Sequence, residues 1–310
     1  MDRPRRYSDE QLKVGDKNVA TLEQEGIIEP ADISEWRHCL HFVEKPPSSE
    51  HQGVKIVERS RADKALRRYR KDTGSTTDRW RTVDDVRNLN KLVSPKPGRI
   101  SLPSTEEMRL KLHGKKVVKL DLSQGYYCLK IRKEDRMKTT FYWRNKLWQF
   151  RRMLQGLVLS PYYFQQLLEF VVSRKTTDEF MKQHPHYVAF NYDEFVQNLI
   201  IFSDDLLLMA DSWELALMYL DCLLFCLNRH KMKINISKCS WFEPSFEFLG
   251  HVYRMSDISA YSQMSTSRIA SFIAWRSPRR SLAEISSRAA LCSFYQRYIP
   301  LLKYLSLIHI

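Results

Sequence analysis

Ser203-Asp204-Asp205 lies between two apolar runs, Asn198-Leu199-Ile200-Ile201-Phe202 and Leu206-Leu207-Leu208-Met209. The pattern predicts two strands meeting at a polar tip, in which the aspartates either just make a hairpin turn or do chemistry. Adjacent carboxylates fastened to strands this apolar repel each other unless a cation or a proton sits with them. The spacing therefore points to a metal site or a raised carboxyl pKa. A third carboxylate, Asp121, falls near the end of Lys116-Val117-Val118-Lys119-Leu120-Asp121-Leu122. That run reads as a buried strand giving out at Ser123-Gln124-Gly125.

Charge along the chain frames these acids. The net charge is +14, with 50 Lys and Arg against 36 Asp and Glu. Residues 51–100 hold 14 basic and 6 acidic side chains, and residues 265–303 hold seven basic side chains and Glu284 alone as an acid. Between these basic flanks, residues 190–221 carry seven carboxylates and no Lys or Arg. A polyanion gripped by the flanks and laid over the acidic centre requires divalent cations between the two, the electrostatic plan of a polymerase or nuclease acting on nucleic acid. A solvated basic face with chance acidic clustering is the plainer alternative.

A chain that is 43% hydrophobic and 12% aromatic can bury a core, which excludes wholesale disorder. The first ten residues hold no apolar run, and the greasiest segments are broken by Asp204, Asp205 and Asp221, so a soluble, intracellular protein is expected. The six cysteines have no zinc or C-x-x-C spacing and read as reduced, with Cys222 and Cys226 as core. His184 and His186, flanking Pro185, read as a solvated turn.

The elements that must carry these residues are legible in outline. Residues 47–80 read as a long mobile loop, and Ser94-Pro95-Lys96-Pro97-Gly98 as a break. A short helix is expected over Glu106–Leu112. Another is expected to start at Ser160-Pro161, with the serine hydroxyl capping and Tyr162–Val172 as its body. Asp211 and Glu214 read as a capping box for a helix over Leu215–Leu227. Residues 251–303 read as a small helical module, and the last residues carry no helix stop signal, which suggests truncation.

Taken together and in order, these segments resemble the reverse transcriptases of LTR retroelements, the gypsy-like group, and retroviruses, over about residues 17–304. Gly26-Ile27-Ile28-Glu29-Pro30 is similar to the entry to the fingers. Trp80-Arg81 with Val83, Asp85, Arg87, Leu89, Asn90 and Lys91 resembles the nucleotide-gripping fingers motif. Asp121-Leu122-Ser123-Gln124-Gly125-Tyr126 resembles the first catalytic motif, followed by Lys138-Thr139-Thr140-Phe141. Leu154-Gln155-Gly156, Ser160-Pro161 and Phe164-Gln165 are similar to the motif seating template and nucleotide. Phe202-Ser203-Asp204-Asp205 stands where the family has an aromatic, any residue and two aspartates. Asn235, Lys238-Cys239 and Phe248-Leu249-Gly250-His251 resemble the last palm motif and the primer grip. Trp275, Pro278 and Phe294-Tyr295-Gln296-Arg297-Tyr298-Ile299-Pro300 resemble the thumb.

The resemblance implies an α+β right-hand polymerase fold. Residues 1–94 and 127–159 would form fingers, 95–126 and 160–252 an antiparallel-sheet palm backed by helices, and 253–310 a small, truncated helical thumb. It implies RNA-directed DNA polymerase activity, in which a primer 3′-hydroxyl is extended with dNTPs by two-metal phosphoryl transfer. Asp121, Asp204 and Asp205 would be catalytic and hold two Mg²⁺ ions, Mn²⁺ being able to substitute, with the Leu122 carbonyl completing a coordination sphere. Arg81 and Lys71 would neutralise the triphosphate, a task suited to arginine's planar fork. Tyr126 would wall off a 2′-hydroxyl and Gln155 would touch nucleotide or template. Lys238 would act as general acid, and Phe248, Leu249 and Gly250 would form the primer grip. The implied partners are an RNA or DNA template with its primer, dNTPs, and the ribonuclease H and integrase of a longer Pol polyprotein. No membrane is implied, and the setting would be cytoplasmic or a virus-like particle.

The chain also departs from the family. Phe202 replaces the commoner tyrosine, residues 173–195 look like an insert, and the usual Gly-Ile and Asp-Pro-x-Lys signals after Gly250 are absent. Two rival readings stand beside the polymerase. One is a catalytically inactive nucleic-acid-binding remnant; the other is an RNA-dependent RNA polymerase, which would lack the wall at Tyr126.

Overall fold

A computed structural model describes residues 6–32, 34–44, 80–93, 104–255, 260–266, 268–269, 282–295 and 298. Contacts divide the chain into two compact units: residues 1–102, 120–208 and 217–239 form the first, and residues 103–119, 209–216 and 240–310 the second. The expected loop over 47–80 lies outside the described residues apart from Trp80.

Helix α1 (Asp9–Gln24) opens with a capping box, in which Ser8 Oγ accepts from the Gln11 amide and the Gln11 side chain accepts from the Ser8 amide. Two donors that a helix start leaves orphaned are thereby satisfied. β1 (Ile28–Pro30) follows, and then β2 (Leu40–Glu44) and β3 (Trp80–Asp84) pair antiparallel with Leu40 opposite Asp84. α2 (Arg87–Leu92) leaves the end of β3. α3 (Thr105–Leu112) has a second capping box, Ser104 with Glu107, which fixes the expected 106–112 helix one residue earlier. β4 (Lys116–Ser123) buries Val117, Val118, Leu120 and Leu122.

β5 (Phe141–Trp143) and β6 (Lys146–Phe150) form a hairpin turned by Arg144 and Asn145, both at positive φ, as a two-residue turn between twisted strands demands. β1 adds to β6, giving a sheet of order β1–β6–β5. Val14, Val19 and Leu22 of α1 pack with Phe42, Phe141, Trp143, Trp148 and Phe150 in one core. Burying each large side chain there is worth roughly 1.5–3 kcal/mol. The Lys138-Thr139-Thr140-Phe141 motif serves this core. Thr139 Oγ1 accepts from the Phe150 amide and donates to the Arg136 carbonyl, while Thr140 Oγ1 donates to the Met137 carbonyl.

Helix α4 (Ser160–Val171) corrects one expectation. Its cap is Leu159, and the Ser160 hydroxyl instead donates to the Leu154 carbonyl at 2.8 Å, because Ser160 already has helical backbone as the first residue. The insert-like stretch forms α5 (Arg174–Gln183) and α6 (Tyr192–Gln197); between them His184 stacks on Phe180 at 4.4 Å rather than standing in solvent. β7 (Leu199–Phe202) and β8 (Asp205–Ala210) are the expected hairpin. α7 (Trp213–Arg229) buries Cys222 and Cys226 as core. Its start also differs from expectation: Ser212 Oγ, one residue nearer the helix, accepts from the Leu215 amide, and Asp211 binds Lys115 Nζ at 2.6 Å.

β9 (Lys233–Ile234) and β10 (Ser240–Trp241) both pair with β4, at Leu122–Ser123 and Val118–Lys119 respectively. In the second unit, β11 (Ser245–Phe248), β12 (His251–Met255) and β13 (Ala260–Met264) make an antiparallel sheet, and α8 (Leu282–Phe294) follows. The expected helical module after Gly250 is thus helical only from 266 on among its described residues. Its first part is strand because Val252 and Tyr253 lie in a ladder with Ser262 and Gln263. No described helix is long and apolar enough to cross a membrane.

Candidate active site

The β7–β8 hairpin closes with Phe202 opposite Asp205, so the two-residue tip is Ser203-Asp204, and Ser203 takes the left-handed conformation at φ 52°. Asp205 is the first residue of β8 rather than part of the turn. Strand β4 runs beside this tip. The Leu122 amide donates to the Asp204 carbonyl at 2.8 Å, which brings Asp121, the neighbour of Leu122, to the hairpin. The backbones of two segments more than eighty residues apart in sequence are thus joined next to Asp121 and at Asp204.

The turn after β4 shapes the floor. Gln124 is left-handed at φ 52°, and the chain then winds into a 3₁₀ turn, Gly125–Cys128. A Cβ on Gly125 would come within 2.4 Å of Phe164 Cζ and 2.7 Å of Asp204 Oδ1, so glycine is the residue that lets the hairpin carboxylate lie against this turn. Tyr126 packs on Phe164 at 5.1 Å and its phenol lies 2.9 Å from Ser203 Oγ. Burial raises the Tyr126 pKa, the Ser203 contact opposes this, and the Asp204 charge adds to it, so the phenol keeps its proton near neutral pH.

On the other side of β4, a 3₁₀ turn over Ile236–Lys238 leads into β10. Lys238 Nζ stands 3.7 Å from Asp121 Oδ1; the lysine side chain is 65% exposed and the aspartate side chain 18%. The lysine side chain thus lies mostly in solvent, whereas the aspartate carboxylate is largely covered.

Gln155 lies in the turn after Leu154, and Gly156 beside it sits at φ +96°. Asn90 clamps this loop, its Nδ2 donating to the Gly156 carbonyl at 2.8 Å and its Oδ1 accepting from the Val158 amide at 2.9 Å. Arg81 lies in β3 opposite Val43, and Lys71 falls outside the described residues. Phe248, Leu249 and Gly250 belong to the second unit, where Leu249 and Gly250, both at positive φ, turn the β11–β12 hairpin.

Asp121, Leu122, Tyr126, Asp204, Asp205 and Lys238 are therefore all in the first unit, at or near the hairpin tip. Ser203 and Cys239, which the sequence offers only as members of their motifs, join them through hydrogen bonds. A hydroxyl or thiol bonding across 77 or 118 residues leaves no local signal.

Every donor these acids offer is a carboxylate or backbone oxygen, the hard set that Mg²⁺ and Mn²⁺ take, so the chemistry of the site fits a divalent cation. Among the described residues no three His, Cys, Asp or Glu side chains are drawn together closely enough to hold one.

Comparison with known proteins places this arrangement. The family model described as "Reverse transcriptase (RNA-dependent DNA polymerase)" matches residues 69–253. The chain belongs to the reverse transcriptase family. This reverse transcriptase chain is 23% identical over 285 residues to the retrovirus-related Pol polyprotein from transposon opus of Drosophila melanogaster, covering 92% of this chain and 23% of the relative. It is 23% identical over 221 residues to the transposon Tf2-3 polyprotein of Schizosaccharomyces pombe, covering 71% and 15%. The chain thus spans a quarter or less of the curated relatives it matches. Among solved structures, a foamy viral protease–reverse transcriptase in complex with double-stranded DNA aligns at TM-score 0.65 and 17% identity, over 99% of this chain and 46% of that one. The same viral protein with an RNA/DNA hybrid aligns at TM-score 0.60 and 17% identity, over 94% and 32%. The α+β fold expected from sequence is the fold these structures share.

Proposed function

We propose that the chain is an RNA-directed DNA polymerase that extends a primer 3′-hydroxyl with deoxynucleotides on an RNA or DNA template. The observation that supports this reading is the 2.8 Å bond from the Leu122 amide to the Asp204 carbonyl, which joins the strand bearing Asp121 to the hairpin bearing Asp204 and Asp205.

Asp121 and Asp204 would hold two Mg²⁺ ions, with Asp205 in support and the Leu122 carbonyl as a further oxygen. Such ions, when bound, clamp the attacking and departing oxygens of an in-line phosphoryl transfer. The chain's own side chains do the rest. Lys238, exposed and 3.7 Å from Asp121, would supply a proton to the departing pyrophosphate. Tyr126, neutral and fixed between Phe164 and Ser203, presents a ring to the sugar that a 2′-hydroxyl would strike. Gln155, on the loop clamped by Asn90, meets nucleotide or template. Arg81 and Lys71 meet the triphosphate, and Phe248-Leu249-Gly250 the primer.

The basic flanks at residues 51–100 and 265–303 suit phosphate contacts along a duplex, which position without reading sequence. Fingers, palm and thumb would follow the boundaries given by the resemblance. Ribonuclease H and integrase would be neighbours in a longer Pol polyprotein, in the cytoplasm or a virus-like particle.

Primer extension on an RNA template with Mg²⁺ or Mn²⁺ tests the reading, comparing the parent with Asp204→Asn. Extension by the parent and none by the variant is expected. Extension by neither would make the chain a nucleic-acid-binding remnant, and efficient use of ribonucleotides would make it an RNA polymerase.

A further inference from the structure

Strand β4 is paired by β9 up to Leu122 and by β10 from Lys119 back, so residues 235–239 stand opposite only Leu120 and Asp121. The ladder is interrupted at the acid that the proposed function makes catalytic. An unpaired backbone group there would cost about as much as a lost hydrogen bond, and the chain does not leave it unpaired. The Asn235 amide donates to the Asp121 carbonyl at 2.8 Å, and the Asp121 amide donates to the Cys239 thiol at 3.4 Å. The same thiol donates to the Asn235 carbonyl at 3.2 Å, closing a ring of three hydrogen bonds around the backbone of Asp121.

We propose that Cys239 is a positioning residue for Asp121: its thiol takes the place of the missing ladder carbonyl and fixes the backbone from which the carboxylate projects. This rests on the polymerase reading for its functional consequence and on the geometry alone for its structural one. Two features make the thiol suited to the place. It accepts and donates at once, which neither alanine nor valine can do. It also lets the 235–239 segment leave the ladder, and that excursion is the 3₁₀ turn which carries Lys238 to within 3.7 Å of Asp121. A regular strand here would satisfy the Asp121 amide and lose the lysine.

The six cysteines form no disulfide, so Cys239 is available as a thiol. Its bonds are long, as sulfur bonds are, and weaker than those of a backbone carbonyl. The backbone of Asp121 is thereby held but left some freedom, while Leu122 next to it is held by the shorter bond to the Asp204 carbonyl.

The test uses the whole chain as parent, Cys239→Ala, Cys239→Val and Cys239→Ser. Alanine and valine bracket the volume of the thiol without its hydrogen bonds, and serine keeps a donor and an acceptor. The first readout is amide hydrogen exchange. Protection of the Asp121 amide should fall about tenfold in Cys239→Ala and Cys239→Val and return toward the parent in Cys239→Ser, with the Leu122 amide unchanged. Parent-like protection of Asp121 in the alanine and valine variants overturns the proposal. The second readout is single-turnover primer extension, where the maximal rate should fall about tenfold in both apolar variants with unchanged dNTP affinity, and serine should restore it. A loss that serine does not restore, or one that appears only in dNTP affinity, also overturns it. A parent that does not extend a primer defeats the polymerase reading, and the exchange readout then decides the structural claim by itself.

Discussion

The Tyr126 phenol and the Ser203 hydroxyl stand 2.9 Å apart, which ties the residue proposed to face the sugar to the hairpin that carries Asp204. Ser203→Ala removes one hydrogen bond, worth about 1 kcal/mol, and should relax discrimination against ribonucleotides about fivefold. Tyr126→Ala, which removes the ring, should relax it by about a hundredfold or more. Competition between dATP and ATP in single-nucleotide extension measures both. Equal discrimination in parent and Tyr126→Ala would remove the sugar-wall role.

Gly125→Ala places a methyl group 2.4 Å from Phe164 Cζ and 2.7 Å from Asp204 Oδ1. Phe164 is fully buried. Overpacking of this kind costs roughly 1–3 kcal/mol, and here the most movable neighbour is the Asp204 carboxylate. The expected result is a modest loss of melting temperature with a much larger loss of extension rate. A fall in stability with a parent-like rate would show that the turn does not steer Asp204.

Asp84 pairs across the strands with Leu40, which is buried, and its Oδ1 is sealed from solvent without a hydrogen bond. Burial pushes its carboxyl up to about 7 from an ordinary 3.8, the bond to its own backbone opposing this. Between these two values the folded chain holds a proton that the unfolded chain has released, so stability falls as pH rises from about 4 to about 7. Above pH 7 the full penalty applies, on the order of 2–4 kcal/mol. Asp84→Asn should melt higher than the parent at pH 8 and close to it at pH 5. Parallel pH dependences of the two melting temperatures would contradict this.

How much of this was readable beforehand depends on the length over which each signal acts. The hairpin around Asp204-Asp205 and the strand ending after Asp121 were legible because apolar runs and turn residues are local patterns. The caps are less legible. Asp211 and Ser212 are both competent N-caps and one residue of register decides between them, while Ser160 hydrogen-bonds to Leu154 because the helix begins one residue before the proline. The strands over 251–264 are not legible, since polar His251 and Ser262 stand on the face where Tyr253 and Met264 are buried and break the apolar alternation that would mark them. The site partners Cys239, Ser203 and Asn90 act across long sequence separations, which no periodicity encodes.

Gly250 sits at φ +77°, and a Cβ there would lie 2.4 Å from the buried Tyr295 hydroxyl and 3.1 Å from Arg268 Nε. Gly250→Ala is therefore strained in backbone and in packing, and should lower stability by roughly 1–3 kcal/mol. Thermal melting measures it. An unchanged melting temperature would mean that the β11–β12 turn adopts another form.

On the proposed reading Asp121 and Asp204 act as one unit, which a double-mutant cycle on single-turnover nucleotide addition measures. Asp121→Asn and Asp204→Asn should each slow addition by about a thousandfold or more, with template–primer affinity little changed. The double variant should be no slower than the worse single one. If the two losses instead multiply, or if Asp121→Asn adds nucleotides at the parent's rate, the two acids do not share a site.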